Sequence, residues 1–264
     1  MHRSVFLKNE RRCVWLPGLY EDLRGIPRFS PSHREWRALV SLNPMKTLII
    51  DDNKFELSLL GPALLHHGVK VIGQVSNSKE ALKIFKAEKP KTVIIDIRFN
   101  SNKAIQLCEE LRTINPLVGL IIISDSPDLR ILGFVLSKIP LGSQLVLKSS
   151  DNLIELLCKA VGLSVEAAVT KEVSMWLHAD DDYSHKLFAS VLTGLTDIQI
   201  ETMRHVGNGL SNLEISRVRF VTEKSVEQII TKISHHFGVG SDPTKNQRVL
   251  LTGEYFKWIG AIRH

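Results

Sequence analysis

The sequence is poor in cysteine, and the cysteines it has are not arranged to cross-link or to ligate. Cys13, Cys108 and Cys158 are odd in number, far apart and without CxxC spacing, which argues against disulfides and structural zinc and fits a reducing cytoplasm. No apolar run reaches the length needed to cross a bilayer, so no membrane association is expected. The basic N-terminus lacks a compact apolar core followed by a small-residue cleavage site, so no signal peptide is expected either. The formal net charge is +6, from 34 Lys and Arg against 28 Asp and Glu. That allows an anionic partner without requiring one. Hydrophobic residues make up 44% of the 264 residues, enough to argue against wholesale disorder and to fill one large or two ordinary domains.

Residues 1–44 stand apart: scattered Arg and Lys, Trp15 and Trp36, and no sustained period. They are expected to be a largely disordered extension from an upstream start codon, with a basic DNA-gripping arm as the sharper reading. From Met45 strand and helix patterns alternate. The central stretch is Lys91 to Phe99, KTVIIDIRF, in which Val93, Ile94 and Ile95 form the continuous apolar run of a strand covered on both faces, ending on Asp96. Thr47–Ile50 ends the same way on Asp51 and Asp52, Leu117–Ile123 ends on Ser124, and Gln144–Leu147 ends on Lys148. With Val69–Val75 these make five strands. Helical patterns fall after Asn53, after Ser78, over Lys103–Leu111, over about 127–138 and after Asp151–Asn152. The expected fold is an α/β doubly wound five-stranded parallel sheet over 45–161. Residues 162–191, with the acidic run Asp180–Asp182 and a helix over 164–177, read as a linker.

In an open parallel sheet, ligands collect at the carboxyl ends of strands beside a topological switch point. If the first and third strands are neighbours, Asp51, Asp52 and Asp96 converge. Like charges that close are costly unless a cation joins them, and Mg²⁺ suits a few carboxylates with waters and phosphate oxygens. This segment resembles the receiver domain of two-component response regulators. The resemblance implies that Asp96 is the phosphoacceptor, that Asp52 with Asp51 helping, Asp96 and the Arg98 backbone carbonyl hold Mg²⁺, and that Ser124 and Lys148 bind the phosphoryl oxygens. It also implies a cognate histidine kinase. The sequence departs from the family in the FNSNKA loop (residues 99–104), where Pro and Gly are usual, and at Leu145, where the aromatic switch residue would fall.

Residues 192–264 read as all helix. Thr196 and Gln199, like Ser211 and Glu214, have capping-box spacing. Val226, Ile229, Ile230, Ile233 and Phe237 form one apolar stripe, while Lys224, Ser225, Gln228, Thr231, Lys232 and His235 lie opposite. Two helices joined by a short turn, the second exposing hydrogen-bonding groups, make a helix-turn-helix. The stretch resembles the LuxR-type domain of NarL-like regulators in its LT, GLSN, EI, EKSV and GV elements, which implies a four-helix domain. It further implies that Lys224, Ser225, Gln228, Thr231 and Lys232 face double-stranded DNA and that the helix over 249–259 makes a homodimer. The whole reading is a cytoplasmic, non-enzymatic response regulator that controls transcription. Two rivals share the fold. One is an orphan regulator that binds DNA regardless of phosphate. The other is a phosphatase-like enzyme using Asp51, which is disfavoured because Asn53 stands where that chemistry needs a second Asp.

Overall fold

Strands buried on both faces account for the continuous apolar runs. The computed structural model describes residues 45–177, 191–239 and 244–259; residues 1–44 and the Asp180–Asp182 run lie outside the described residues. The first part of the chain folds in the order β1 (Lys46–Ile50), α1 (Lys54–His66), β2 (Lys70–Val75), α2 (Ser78–Glu88), β3 (Thr92–Asp96), α3 (Ala104–Ile114), β4 (Gly119–Ser124), β5 (Ser143–Leu147), α4 (Leu153–Thr170) and β6 (Met175–Leu177). All strand pairs are parallel, in the spatial order β2-β1-β3-β4-β5-β6. Ile49, Ile94, Ile121 and Val146 pack on one face against Leu60 and Leu64 of α1 and Leu157 of α4. Leu48, Ile50, Val93, Ile95 and Ile122 pack on the other against Phe85 of α2 and Leu107 and Leu111 of α3. The alternation is the strand's period of two, with both faces apolar.

The register places the strand ends. Ile50 lies opposite Ile95, Asp96 opposite Ile123, and Ser124 opposite Leu147. The chain leaves β1 toward β2 on one side and returns to β3 on the other, so β1 and β3 flank the switch point.

Three expectations are corrected. The sheet has six strands, not five: β6 pairs with β5 through Gln144–Met175, Leu145–Trp176 and Val146–Leu177. The segment expected as a linker therefore begins inside α4; the helix expected over 164–177 is helical to Thr170, stops at Lys171 in the left-handed conformation, and gives way to this strand. The helix expected over about 127–138 is a series of turns with a single 3₁₀ turn at Leu136–Lys138. Here side chains satisfy the backbone and compete with a helix. The Ser126 hydroxyl donates to the Asp128 carbonyl at 3.1 Å, the Asp128 carboxylate accepts from the Arg130 N–H at 2.9 Å, and Gly133 sits at φ +92°.

The helical domain comprises α5 (Asp197–Gly207), α6 (Asn212–Arg219), α7 (Glu223–His236) and α8 (Gln247–Trp258). Thr196 and Gln199 form the full reciprocal capping box of α5. Ser211 caps α6 through the Glu214 N–H, but the Glu214 carboxylate pairs with Arg217 instead of reaching back. Val226, Ile230 and Ile233 of α7 are buried with Met203, Ile215, Leu251 and Trp258. Ile131, from the turn segment after β4, is fully buried in this same core. Beside it the Arg130 guanidinium donates to the carbonyls of Leu192 (3.1 Å) and Leu195 (3.2 Å) and pairs with Asp197 (2.7 Å) and Asp128 (2.6 Å). The two halves of the chain are thus joined by an inserted side chain and a clamped guanidinium. Ile131→Ala is expected to cost about 2–5 kcal/mol, the usual range for truncating a buried isoleucine. A lowered urea midpoint for the helical domain would report it; an unchanged midpoint would mean that Ile131 contributes nothing to that core.

Candidate phosphoacceptor pocket and nucleic-acid interface

Asp96 is the last residue of β3 and is almost fully buried. Its Oδ1 accepts from the Arg98 N–H at 2.6 Å, and its Oδ2 lies 2.6 Å from Lys148 Nζ. Lys148 follows β5, tied by its N–H to the Ser124 carbonyl at 2.8 Å. Asp51 follows β1 and is 2% exposed. Its Oδ1 accepts from the Asn53 N–H at 2.8 Å; its Oδ2 has no hydrogen-bond partner and stands 3.9 Å from Lys148 Nζ. Burial pushes the Asp51 carboxyl up to about 7, against the lowering pull of the Asn53 N–H and of Lys148. Burial pulls the Lys148 ammonium down, but the Asp96 and Glu56 carboxylates outweigh it and its pKa rises.

Of the residues expected at this site, Asp51, Asp96 and Lys148 come together. Asp52 is solvent-exposed, and its Oδ2 accepts from the Asn100 N–H at 3.0 Å, tying β1 to the loop after β3. Ser124 is fully buried, but its hydroxyl serves its own loop, donating to the Ser126 carbonyl at 2.9 Å and accepting from the Ser126 N–H at 3.1 Å. Every second residue then carries the network onward: Ser124, Ser126, Asp128 and Arg130, which grips the helical domain. The Arg98 side chain pairs with Asp125, whose carboxyl is pushed up chiefly by burial. Leu145 is buried in β5.

Glu56 was not foreseen. Its Oε2 lies 2.5 Å from Lys148 Nζ. One carboxylate oxygen from each of Asp51, Glu56 and Asp96 lies within 4.8 Å of the other two. The signal was available: Asn53 and Glu56 have capping-box spacing. Asn53 Oδ1 accepts from the Glu56 N–H at 3.4 Å and Asn53 Nδ2 donates to Glu56 Oε1 at 2.8 Å. That exchange turns the Glu56 side chain back over the start of α1, where Asp51 lies. The donors are all oxygens and Asp51 Oδ2 is unsatisfied, so the set suits a hard divalent cation.

On the helical domain, Thr222 caps α7 by accepting from the Ser225 N–H at 3.2 Å. Lys224, Gln228, Thr231 and Lys232 are exposed along one side of α7, with Glu223 and Glu227 beside them. Ser225 is half-buried, its hydroxyl 2.8 Å from that of Thr222, and the Thr231 hydroxyl donates to the Glu227 carbonyl. Lys224, Gln228 and Lys232 therefore keep their polar ends outward. Phe220, in the turn before α7, is 96% exposed at φ +54°. Val249 and Phe256, seven apart on α8, are also exposed.

Residues 47–137 match the family model described as the response regulator receiver domain. A putative transcriptional regulator of Pseudomonas aeruginosa is 22% identical over 195 residues, 72% of this chain and 92% of the relative. The virulence factors putative positive transcription regulator BvgA of Bordetella pertussis is 24% identical over 191 residues, 71% of this chain and 88% of the relative. A solved structure of two RcsB dimers bound to two parallel DNAs has the same fold, with a TM-score of 0.51 at 20% identity, covering 82% of this chain and all of that one. Residues 47–137 are thus a response regulator receiver domain, and the domain that follows carries a helix-turn-helix in α6 and α7. Among the described residues no helix is long and apolar enough to cross a membrane.

The raised Asp51 carboxyl sets a pH dependence. A carboxyl whose folded pKa exceeds its unfolded value adds stability below the unfolded pKa and loses it as pH rises through the folded one. In EDTA, wild type should therefore lose stability from about pH 4 to about 7 relative to Asp51→Asn, by at least about 1 kcal/mol. Parallel urea midpoints across that range for the two proteins would contradict the burial of an ionising Asp51.

Proposed function

We propose that this regulator is phosphorylated on Asp96 by a histidine kinase and controls transcription by binding double-stranded DNA as a homodimer in the cytoplasm. The observation that carries the reading is the buried Asp96 carboxylate held 2.6 Å from the Lys148 ammonium at the switch point of the sheet. Asp96 Oδ2 is the attacking oxygen, and the Arg98 N–H fixes the other oxygen so that the carboxylate cannot rotate freely. Lys148 moves from Asp96 to the arriving phosphoryl oxygens, where its charge offsets theirs. Asp52, Asp51, Asp96 and the Arg98 carbonyl are the groups expected to hold Mg²⁺, which when bound supplies further charge neutralisation at those oxygens.

Ser124 carries the event outward. To donate to a phosphoryl oxygen, its hydroxyl must give up the Ser126 carbonyl. The loop that shifts is the one whose Arg130 grips the Leu192 and Leu195 carbonyls and Asp197, so this loop supplies the coupling for which Leu145 offers no aromatic ring. On the output side, α7 enters the major groove. Gln228 reads a base edge, Lys232 a base or phosphate, and Lys224, Ser225 and Thr231 lie against the backbone. Val249 and Phe256 on α8 supply the apolar stripe for the dimer.

Asp96→Asn should abolish acid-labile phosphate incorporation from a small phosphodonor while leaving the unfolding midpoint near wild type, because a carboxamide is isosteric but a poor nucleophile. Full labelling of that variant would sink the assignment. For the output helix, Gln228→Ala should cost roughly 1–3 kcal/mol on the cognate site and little on random DNA. Lys224→Ala should weaken both about equally and reduce the salt slope by about one phosphate contact. Binding indifferent to Gln228, or a salt slope indifferent to Lys224, would show that α7 is not docked this way.

A further inference from the structure

Glu56 is the carboxylate in the pocket that neither phosphoryl transfer nor the cation set above employs. It sits in the first turn of α1, its side chain folded back by the two-way exchange with Asn53. Its Oε2 shares the Lys148 ammonium with Asp96, at 2.5 and 2.6 Å. One carboxylate oxygen from each of Asp51, Glu56 and Asp96 lies within 4.8 Å of the other two. Asp51 Oδ2 is buried without a hydrogen bond, and the ammonium comes no closer to it than 3.9 Å. Asp52 lies apart, occupied by the Asn100 N–H.

We infer that Glu56 is a direct ligand of the divalent cation in this chain, so that Asp51, Glu56 and Asp96 hold it as a three-carboxylate set before any phosphoryl oxygen is present. The inference rests on the receiver reading and refines its cation site. Ionised, as ligands of a cation must be, the three carboxylates and one ammonium carry a net charge of −2, which one divalent cation cancels. A monovalent ammonium cannot satisfy Asp51, whereas a cation seated among the three oxygens can. The exchange releases Lys148 from Glu56 and Asp96 together and leaves it free to meet the phosphoryl group. Glu56 thus acts as a cation ligand and as the positioning partner of Lys148. Extra protein carboxylates raise affinity for hard cations and lessen dependence on a phosphate ligand.

The test is Mn²⁺ binding by the full chain without phosphodonor, followed by loss of the free-ion EPR signal, with Mg²⁺ as competitor. Wild type should bind Mn²⁺, and Mg²⁺ should displace it. Glu56→Gln keeps the acceptor for Asn53 and should preserve the unfolding midpoint while weakening Mn²⁺ at least tenfold. Glu56→Asp keeps the charge but withdraws it by one methylene, and should also bind more weakly than wild type. Equal Mn²⁺ affinity in wild type and Glu56→Gln would overturn the role of Glu56 and leave the receiver's cation site standing. Full affinity in Glu56→Asp with loss in Glu56→Gln would overturn direct ligation in favour of a general charge effect. Failure of wild type to bind Mn²⁺ at all would overturn the cation reading of the pocket itself, and the inference with it.

Discussion

The contact on which the site depends is the reach of Lys148 Nζ into a group of buried carboxylates. Two carboxylates about 5 Å apart repel by roughly 3 kcal/mol at an effective dielectric near 20, and here three crowd within that distance. The ammonium offsets the repulsion, and the strand register makes its position possible. Because β1, β3, β4 and β5 end level with one another, Asp51, Asp96, Ser124 and Lys148 emerge on one edge of the sheet. A slip of one residue in any pair would turn every side chain of that strand to the opposite face and carry its terminal polar residue out of line. Apolar packing on both faces therefore holds the charges in place as firmly as it holds the sheet.

Much of this was legible in the sequence, and the reason is physical. A strand buried on both faces has no polar positions within it, so the first polar residue after the run marks where the chain leaves the core. That logic located Asp51, Asp96, Ser124 and Lys148 without knowledge of tertiary contacts. Glu56 escaped it because its place depends on a side chain folding back along a helix, which Asn53 enforces through a cap and not through any hydrophobic period. The segment after β4 was misread as a helix because Leu129, Ile131 and Leu132 supply apolar positions. All three are used otherwise: Leu129 turns into the receiver core, Ile131 into the helical domain, and Leu132 touches both. β6 was missed because three residues are too few to show a period.

The helical domain followed its sequence closely, since caps and apolar stripes are local. What its sequence could not show is that its core is completed from outside. Ile131 lies more than sixty residues before Leu195, and nothing in the helical stretch announces that it needs such a partner. The Leu195 carbonyl likewise finds a donor in Arg130, and the Leu192 carbonyl takes Arg130 beside the Leu195 N–H. Input and output are thus in contact by shared burial, and the turn segment belongs energetically to both.

The short sixth strand has a separate consequence. An exposed parallel edge offers unpaired N–H and C=O groups on which another chain can build. In this sheet β5 gives part of that edge to β6, a strand of only three residues, and at the far side β2 pairs with β1 through a register shift between Thr47 and Leu48. Among the described residues, the β6 border is the shorter of the two. The short β6 thereby leaves little on its side of the sheet for strand addition to build on.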